Sequence, residues 1–409
     1  MLKTIPLSQA RKGMYVHKFC GSWIDHPFWG RRLLIEDDDQ LRQIRSSRIK
    51  ELVIDLTRGV DVLDDRPLVD AARVTADVER FLQPDPPATQ ASEARGGCSL
   101  EDELGRARRI VSSGKGAVVA MFADVRMGRA VSGEGLAELI EDMSNSIARN
   151  PHALISVARI KHKDEYTYMH SVAVAALMVA LARRKGLPED EVRLAGLAGL
   201  LHDLGKAMMP EAVLNKPGKL TEAEFAIMRT HPLEGYKLLQ EWEGIPEEVL
   251  DVCLHHHEKL DGTGYPEKLQ AGQISLLARM GAICDVYDAI TSNRPYKPGW
   301  DPAESLRQMA SWKHHFDPEL FRLFVHMLGI YPVGSLVRLS DEHLAVVVEQ
   351  GRDSLTRPRL SVFYSIRLRQ GIPVRSLDLA APGVTVEILG RESPSNWGLT
   401  NLEKLWLNT

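Results

Sequence analysis

Long apolar runs are missing from this 409-residue chain. No stretch approaches the roughly 20 apolar residues that a membrane-spanning helix needs. The start, MLKTIPLSQARKGMYV, lacks the apolar core of a secretory signal. Cysteine is scarce: Cys20, Cys98, Cys253 and Cys284 are scattered and form no C-x-x-C pair. Structural disulfides are therefore not expected, and a reduced, cytoplasmic chain fits. Excess positive charge is also lacking. With a formal net charge of -4 there is no broad basic field, so nucleic acid is not the expected partner. No repeat of fixed period is present. What is there is an ordinary globular composition, 44% apolar, enough for two or three domains with their own cores.

Texture divides the chain. Residues 1–82 mix short strand-like runs (MYVHKF, RRLLI, ELVIDL) with polar turns and predict a small α/β or β-rich regulatory module. Residues 83–97, rich in Pro, Ala and Gly, build no core and read as a linker. Residues 98–150 read as a helical connector, with breaks expected near Gly114–Gly116 and Gly133–Gly135. From 151 to 330 the pattern is helical. Val174, Leu177 and Leu181 share a stripe with His170. Leu194, Leu197 and Leu201 form a stripe ending at His202-Asp203, and Leu276, Met280 and Ile283 lead into Asp285. Helical spacing thus carries three polar positions towards buried faces. From 331 to 409, short runs (SLVRL, LAVVVEQ, LSVFYSI, VTVEIL) predict a small β appendage. The fold class is mainly α, a helical bundle flanked by these two smaller modules.

Six of the 14 histidines fall between 170 and 257: His170, His202, His231, His255, His256 and His257. One histidine on an apolar stripe is ordinarily a core residue with a hydrogen-bonded ring. The cluster changes that. LAGLLHDLGK drives an apolar helix into His202-Asp203, where an unpaired buried carboxylate would be costly. A metal ion resolves the cost, because imidazole nitrogen and carboxylate oxygen are the usual ligands of Mn, Fe or Zn.

HDLGK at 202–206 resembles the signature of the HD phosphohydrolase superfamily. HHEKLDGTGYP at 256–266 is similar, without a mismatch, to the HD-GYP signature HHExxDGxGYP. YTYMHS at 166–171, THPLEG at 230–235 and CDVYDAITSNRPYK at 284–297 resemble the family's opening, middle and closing elements. The resemblance covers 151–330, which implies an HD-type helical bundle. GMYV, GSW followed by HPF, and VIDLTRGVDV resemble an uncharacterised N-terminal domain often found before HD-GYP domains.

The resemblance implies a phosphodiesterase that opens cyclic di-GMP to pGpG, with further cleavage to GMP left open. It implies two divalent transition metals, Fe or Mn foremost, with other divalent ions not excluded. His202, Asp203 and Asp285 would hold one, with His170 at or beside it. His231, His256 and His257 would hold the other, with Asp203 bridging. Such a pair of cations stabilises an in-line displacement at phosphorus. Asp203 and Lys206 are the implied catalytic residues. Lys206, Arg294 and Lys297 are the implied contacts to substrate phosphates. Diguanylate cyclase domains are implied as partners of the GYP segment, which contains Tyr265.

Other positions keep plainer readings. His255 falls outside the aligned histidine pair and reads as structural. Glu258 and Asp261 either hydrogen-bond ligand histidines or brace a helix end and turn. Asp288, one turn beyond Asp285, either supports a ligand or is a plain helix carboxylate. His162, His314 and His315 match no ligand position. Cys253 and Cys284 read as packing residues. The family's third-metal glutamate, four residues before the first histidine, is Tyr166 here. Glu165 is adjacent but points about 140° away from His170 around a helix. Asp55 in VIDL invites comparison with a receiver domain's phosphoacceptor, but the preceding chain lacks room for a doubly wound fold. The alternatives to the enzyme are a weakly active cyclic di-GMP sensor or adaptor docking on diguanylate cyclases, and a different HD-type nucleotide hydrolase. The intact ligand set disfavours the first, and the GYP segment with Arg294 and Lys297 disfavours the second.

The resemblance makes the basic pair Arg294 and Lys297 testable. Arg294→Ala and Lys297→Ala are expected to retain metal and to lose about ten- to a hundredfold in turnover of cyclic di-GMP, the worth of a charge-assisted phosphate contact. Steady-state kinetics with metal analysis checks this, and wild-type behaviour of both variants would refute the assigned roles.

Overall fold

The computed structural model describes residues 2–7, 10, 12–20, 33–35, 37–45, 51–55, 98, 100–129, 135–160, 166–292, 299–300, 302–351, 354, 356–392, 394–399, 402 and 404–407. The 83–97 linker, the GSW and HPF pieces, His162, Glu165, Arg294 and Lys297 lie outside the described residues. The chain divides into two compact units, Met1–Leu68 and Val69–Thr409.

In the first unit, strands β1 (Leu2–Pro6), β2 (Tyr15–Cys20), β3 (Leu33–Leu34) and β4 (Glu51–Asp55) form an antiparallel sheet in the order β1-β4-β2-β3. Helix α1 spans Asp38–Arg45. Period two is plain in β4, where Leu52 and Ile54 are fully buried and Val53 between them is not. They pack with Ile5, Met14, Val16, Ile35 and Ile44. Asp55 ends a strand paired antiparallel with Leu2. A receiver domain places its strand in a parallel, doubly wound sheet, so that comparison falls. Strand β1 carries no signal that the pattern reading used.

The second unit is helical, then β. Its described α-helices are α2 (Leu100–Arg126), α3 (Leu136–Arg149), α4 (Pro151–Ala158), α5 (Tyr166–Lys185), α6 (Glu189–Leu201), α7 (Glu211–Leu214), α8 (Glu222–Met228), α9 (His231–Gln240), α10 (Glu247–His255), α11 (Leu276–Thr291), α12 (Pro302–Ser311), α13 (Pro318–Leu328) and, after the strands, α14 (Lys404–Leu407). Helix α5 is the axis of the bundle. Every residue from Met169 to Ala182 is buried, and α2, α3, α4, α6, α11 and α13 all pack against it. A helix apolar all round has no solvent face, so neighbours must enclose it. Each large apolar side chain enclosed contributes about 1.5–3 kcal/mol.

Two sequence expectations need correction. No break occurs near Gly114–Gly116, because α2 runs through both. A helical glycine costs only about 1 kcal/mol relative to alanine, and Gly114 lies against Val172 and Met143, where tertiary packing outweighs that cost. In α6 the leucine stripe is fully buried only at its last member, Leu201. Leu194 and Leu197 are half-buried, whereas Val192, Ala195, Gly196, Ala198 and Gly199 are buried. A Cβ on Gly199 would lie 2.8 Å from the Ala175 Cα, so small residues let α6 press onto the α5 backbone.

Residues 336–391 form the antiparallel sheet β8-β7-β6-β5-β9, from β5 (Leu336–Leu339), β6 (His343–Glu349), β7 (Arg359–Ser365), β8 (Gln370–Asp378) and β9 (Ile388–Arg391). Strands β6 and β7 are buried on both faces through most of their length, and β8 is largely exposed. Strand β8 went unforeseen because its polar residues do not alternate, and most of VTVEIL lies before β9 rather than in it.

Glu103 ties α2 to α3. Its fully buried carboxylate accepts from Arg149 Nε and Nη2, each at 2.8 Å, and from Arg106 Nη1 at 2.8 Å. Burial pushes its carboxyl up, but the two guanidiniums outweigh burial and bring it down to about 2 from an ordinary 4.5. A depressed carboxyl stabilises fully above the unfolded value and loses that stabilisation as pH falls through the folded one. Glu103→Gln is expected to cost about 2 kcal/mol at pH 7. The difference from wild type should shrink between about pH 4.5 and pH 2. Urea unfolding across that range checks both.

Candidate metal centre

The site is assembled from helix ends. His170 lies in the first turns of α5, His202 caps the C-terminus of α6, and Asp203 follows it. His231 opens α9, His256 caps α10 with His257 next to it, and Asp285 lies within α11. After α6 the chain tightens into a 3-10 turn, Leu204–Met208. That turn can meet α9 only through glycine. A Cβ on Gly205 would lie 1.9 Å from the His231 carbonyl oxygen and 2.5 Å from the Gly235 nitrogen. The glycines of HDLGK and HPLEG therefore bring Asp203 to His231, a contact that motif matching alone does not explain.

Among the described residues, three groups could hold a metal ion: His231, His256 and His257; His170, His202 and Asp285; and His202, Asp203 and His256. Within each group the donor atoms lie within 4.8 Å of one another. Asp203 stands between the first two groups. Its Oδ1 is 3.2 Å from His231 Nε2 and 3.8 Å from His256 Nε2, and its Oδ2 is 3.4 Å from His202 Nε2 and 3.5 Å from His170 Nε2. Asp285 Oδ1 is 2.9 Å from His170 Nε2 and 3.8 Å from His202 Nε2, and its Oδ2 is 3.7 Å from His257 Nδ1.

The rear nitrogens set the tautomers. His202 Nδ1 donates to the Gly199 carbonyl at 2.8 Å, His231 Nδ1 to Met228 at 2.7 Å, and His256 Nδ1 to Cys253 at 3.0 Å. A carbonyl only accepts, so these Nδ1 atoms carry a proton and each Nε2 faces the site, presenting a lone pair when the ring is neutral. Those lone pairs face carboxylate oxygens. His202 Nε2 and Asp203 Oδ1 are buried without a hydrogen-bond partner. Acceptors facing acceptors need a proton or a metal cation between them, and nitrogen with carboxylate oxygen suits a divalent transition metal. The donor set therefore fits a metal.

The electrostatics agree. Burial pushes the Asp203 carboxyl up, but Lys206 and His202 pull it well below the usual carboxylate range. Burial likewise opposes ionisation of Asp285, and the hydrogen bonds of His170 and His202 reverse that. His256 is pushed well down by burial and then by its imidazole neighbours, and burial brings His257 down to about 3. At His202 burial acts downward too, but Asp203 and Asp285 outweigh it and push the ring up to about 10, which marks the strongest demand for positive charge. Ionised carboxylates beside the neutral His256 and His257 are the protonation state that metal binding requires, and at His202 a bound cation would take the place of the proton.

The surroundings settle several open readings. Asp288 Oδ2 accepts from His170 Nδ1 at 2.6 Å, so it supports that ring from behind. Among the described residues, the Glu258 side chain makes no hydrogen bond to a site histidine. It accepts the backbone N–H groups of Glu267, Lys268 and Leu269 and fastens the loop after Tyr265. Asp261 is exposed and caps its own turn at Thr263. His255 pairs with Asp251 at 2.7 Å and with Glu267 at 3.3 Å, away from the cluster. Cys253 and Cys284 are buried in the core, His314 is exposed, and His315 stacks on Phe316. Lys206 Nζ sits 2.5 Å from Asp203 Oδ2. The sequence reading missed Arg229, whose guanidinium lies 4.6 Å from the Tyr265 ring centroid. Tyr265 in turn stacks on His257 at 4.7 Å. The available signal was a cation two residues before His231.

Residues 141–320 match the HD domain family, and residues 2–135 match a domain of unknown function, DUF3391. The chain is 50% identical over 407 residues to cyclic di-GMP phosphodiesterase PA4108 of Pseudomonas aeruginosa, covering 99% of this chain and 96% of that one. It is 38% identical over 186 residues to the cyclic di-GMP phosphodiesterase response regulator RpfG of Xanthomonas campestris, covering 44% of this chain and 48% of that one. It is 37% identical over 169 residues to the 3'3'-cGAMP-specific phosphodiesterase 2 of Vibrio cholerae, covering 41% of this chain and 32% of that one.

The geometry separates two carboxylates by role. Asp203→Ala is expected to remove most bound metal, because both histidine groups face Asp203. Asp288→Ala is expected to weaken metal binding about ten- to a hundredfold while leaving the site loadable, the usual effect of removing a ligand's hydrogen-bond partner. Metal titration of chelator-treated protein, with circular dichroism to monitor the fold, checks both. Normal metal affinity in a folded Asp203→Ala protein would refute this arrangement.

Proposed function

The chain belongs to the HD-GYP family of HD-domain phosphodiesterases, and from that premise we propose that it hydrolyses cyclic di-GMP to the linear dinucleotide pGpG. The observation that carries the reading is the buried Asp203 carboxylate, faced from opposite sides by His170 and His202 and by His231 and His256. The full-length likeness to a cyclic di-GMP phosphodiesterase favours that substrate over 3'3'-cGAMP, for which the likeness spans 41% of the chain.

His170, His202, Asp203 and Asp285 would hold one divalent metal, and His231, His256 and His257 a second, with Asp203 shared. Once bound, such a pair supplies Lewis acidity, acidifying water and stabilising charge at phosphorus. The chain's own groups do the rest. The carbonyls of Gly199, Met228 and Cys253 hold three imidazoles in the Nε2-inward tautomer. Asp288 orients His170. Lys206, against Asp203, keeps positive charge beside the reacting phosphate, and Arg294 and Lys297 bind its free oxygens. Water adds to phosphorus and the P–O3' bond breaks. The water's proton ends on the 3' oxygen, leaving a 5'-phosphate on one guanosine and a 3'-hydroxyl on the other. A pure sensor would need none of these aligned donors.

Fe or Mn is the proposed metal, at two per chain. A phenol at position 166, neutral near pH 7 with a reference pKa of about 10, replaces the carboxylate that a third metal would need. Opening the ring should therefore outpace the second cleavage, with pGpG accumulating before GMP. Anaerobic, metal-supplied assays with cyclic di-GMP and 3'3'-cGAMP, followed by product chromatography and metal analysis, test this. No turnover of cyclic di-GMP would overturn the function. Three metals per chain, or GMP appearing without a pGpG intermediate, would overturn the stoichiometry.

A further inference from the structure

The mouth of the metal centre is where its members meet solvent. The His257 side chain is 22% exposed and Lys206 21%, whereas Asp285 is 7% exposed and His170, His202, Asp203, His231 and His256 are 3% or less. Among the described members of the site, His257 and Lys206 are therefore the ones that an entering substrate reaches first. Tyr265 is stacked on that ring, 4.7 Å between centroids at 28°. Arg229 lies over Tyr265 at 4.6 Å, and the exposed Phe225 ring is 6.0 Å from the same guanidinium. One tyrosine thus joins an inner imidazole to an outer cation at the entrance.

Arg229 is half-buried, and among the described residues no carboxylate pairs with it. Lys206, by contrast, is already engaged by Asp203 at 2.5 Å. Position also constrains Arg229. It caps the C-terminus of α8 two residues before His231, and its backbone N–H donates to the Phe225 carbonyl at 2.9 Å. A guanidinium lying on an aromatic ring is oriented by that face and keeps its planar N–H fork for an anion.

We propose that Arg229, braced by Tyr265, binds the second phosphate of the cyclic dinucleotide, the one that is not cleaved. This rests on the substrate reading above, since that substrate carries two phosphodiesters and only one can occupy the metal centre at a time. A partly desolvated, unpaired guanidinium at the entrance matches the remaining one, which a forked contact recognises. Arg229 is then a specificity residue: it selects dinucleotides over simple phosphodiesters without touching the reacting phosphorus.

The test compares two substrates on the metal-loaded protein. Cyclic di-GMP carries the second phosphate, and bis(p-nitrophenyl) phosphate does not. Arg229→Ala is expected to raise KM for cyclic di-GMP about ten- to a hundredfold with a smaller change in kcat. Its metal content and its kcat/KM for bis(p-nitrophenyl) phosphate should match wild type. Arg229→Lys, which keeps charge but not the fork, should fall between. An equal loss on both substrates, or loss of metal, would mean that Arg229 only props Tyr265 and His257, and would overturn the proposal. Unchanged kinetics with cyclic di-GMP in an active protein would overturn it while leaving the function intact. Inactivity of the wild-type protein towards cyclic di-GMP would instead remove the substrate reading and this proposal together.

Discussion

A buried carboxylate confronted by imidazole lone pairs is the constraint on which this structure turns. Asp203 is wholly buried, and four histidines direct Nε2 at its two oxygens. Burial alone favours a neutral acid, yet the surrounding groups hold it ionised. Three of the imidazoles cannot turn to donate, because backbone carbonyls hold their Nδ1 protons. Such a cluster is unfavourable by itself and becomes favourable around cations. The polar centre thus works against folding, and the apolar shell around it must outweigh that cost.

The bundle supplies that shell. Helix α5 is buried from Met169 to Ala182 by six neighbouring helices, and it carries His170 at its N-terminal end. Helix α6 presses onto it through Gly196 and Gly199, which fixes where His202 and Asp203 emerge. Gly205 and Gly235 then close the 3-10 turn against α9. The same contacts that bury apolar surface therefore set where the donors sit. The open side is held differently. Glu258 gathers three backbone N–H groups of the loop that carries Tyr265, and Tyr265 covers His257. A packed interior holds the metal-binding candidates, and a loop anchored by Glu258 forms part of the rim.

The sequence by itself determined which candidate donors the fold would gather and the class of chemistry that they suit. His202-Asp203 at the end of an apolar helix, the run 256–266 and Asp285 at helical spacing are local patterns, and residue type limits which metals such donors accept. It also determined that 151–330 is helical and that the last residues turn to strands, because periodicity is a property of neighbouring residues. Tertiary structure alone decided the rest. Which oxygen of Asp203 faces which histidine depends on close approaches at glycines, and a glycine looks the same in sequence whether it breaks a helix or admits a neighbour. Gly114 and Gly116 show this, lying inside an unbroken α2. Glu258, Asp261 and Asp288 were carboxylates with two open readings each, and only their partners in space separated a loop clamp, a turn cap and a histidine support. Arg229 reads in sequence as an ordinary helix-end cation. Its place over Tyr265 brings together residues 36 apart in number, and such contacts form only when the chain folds.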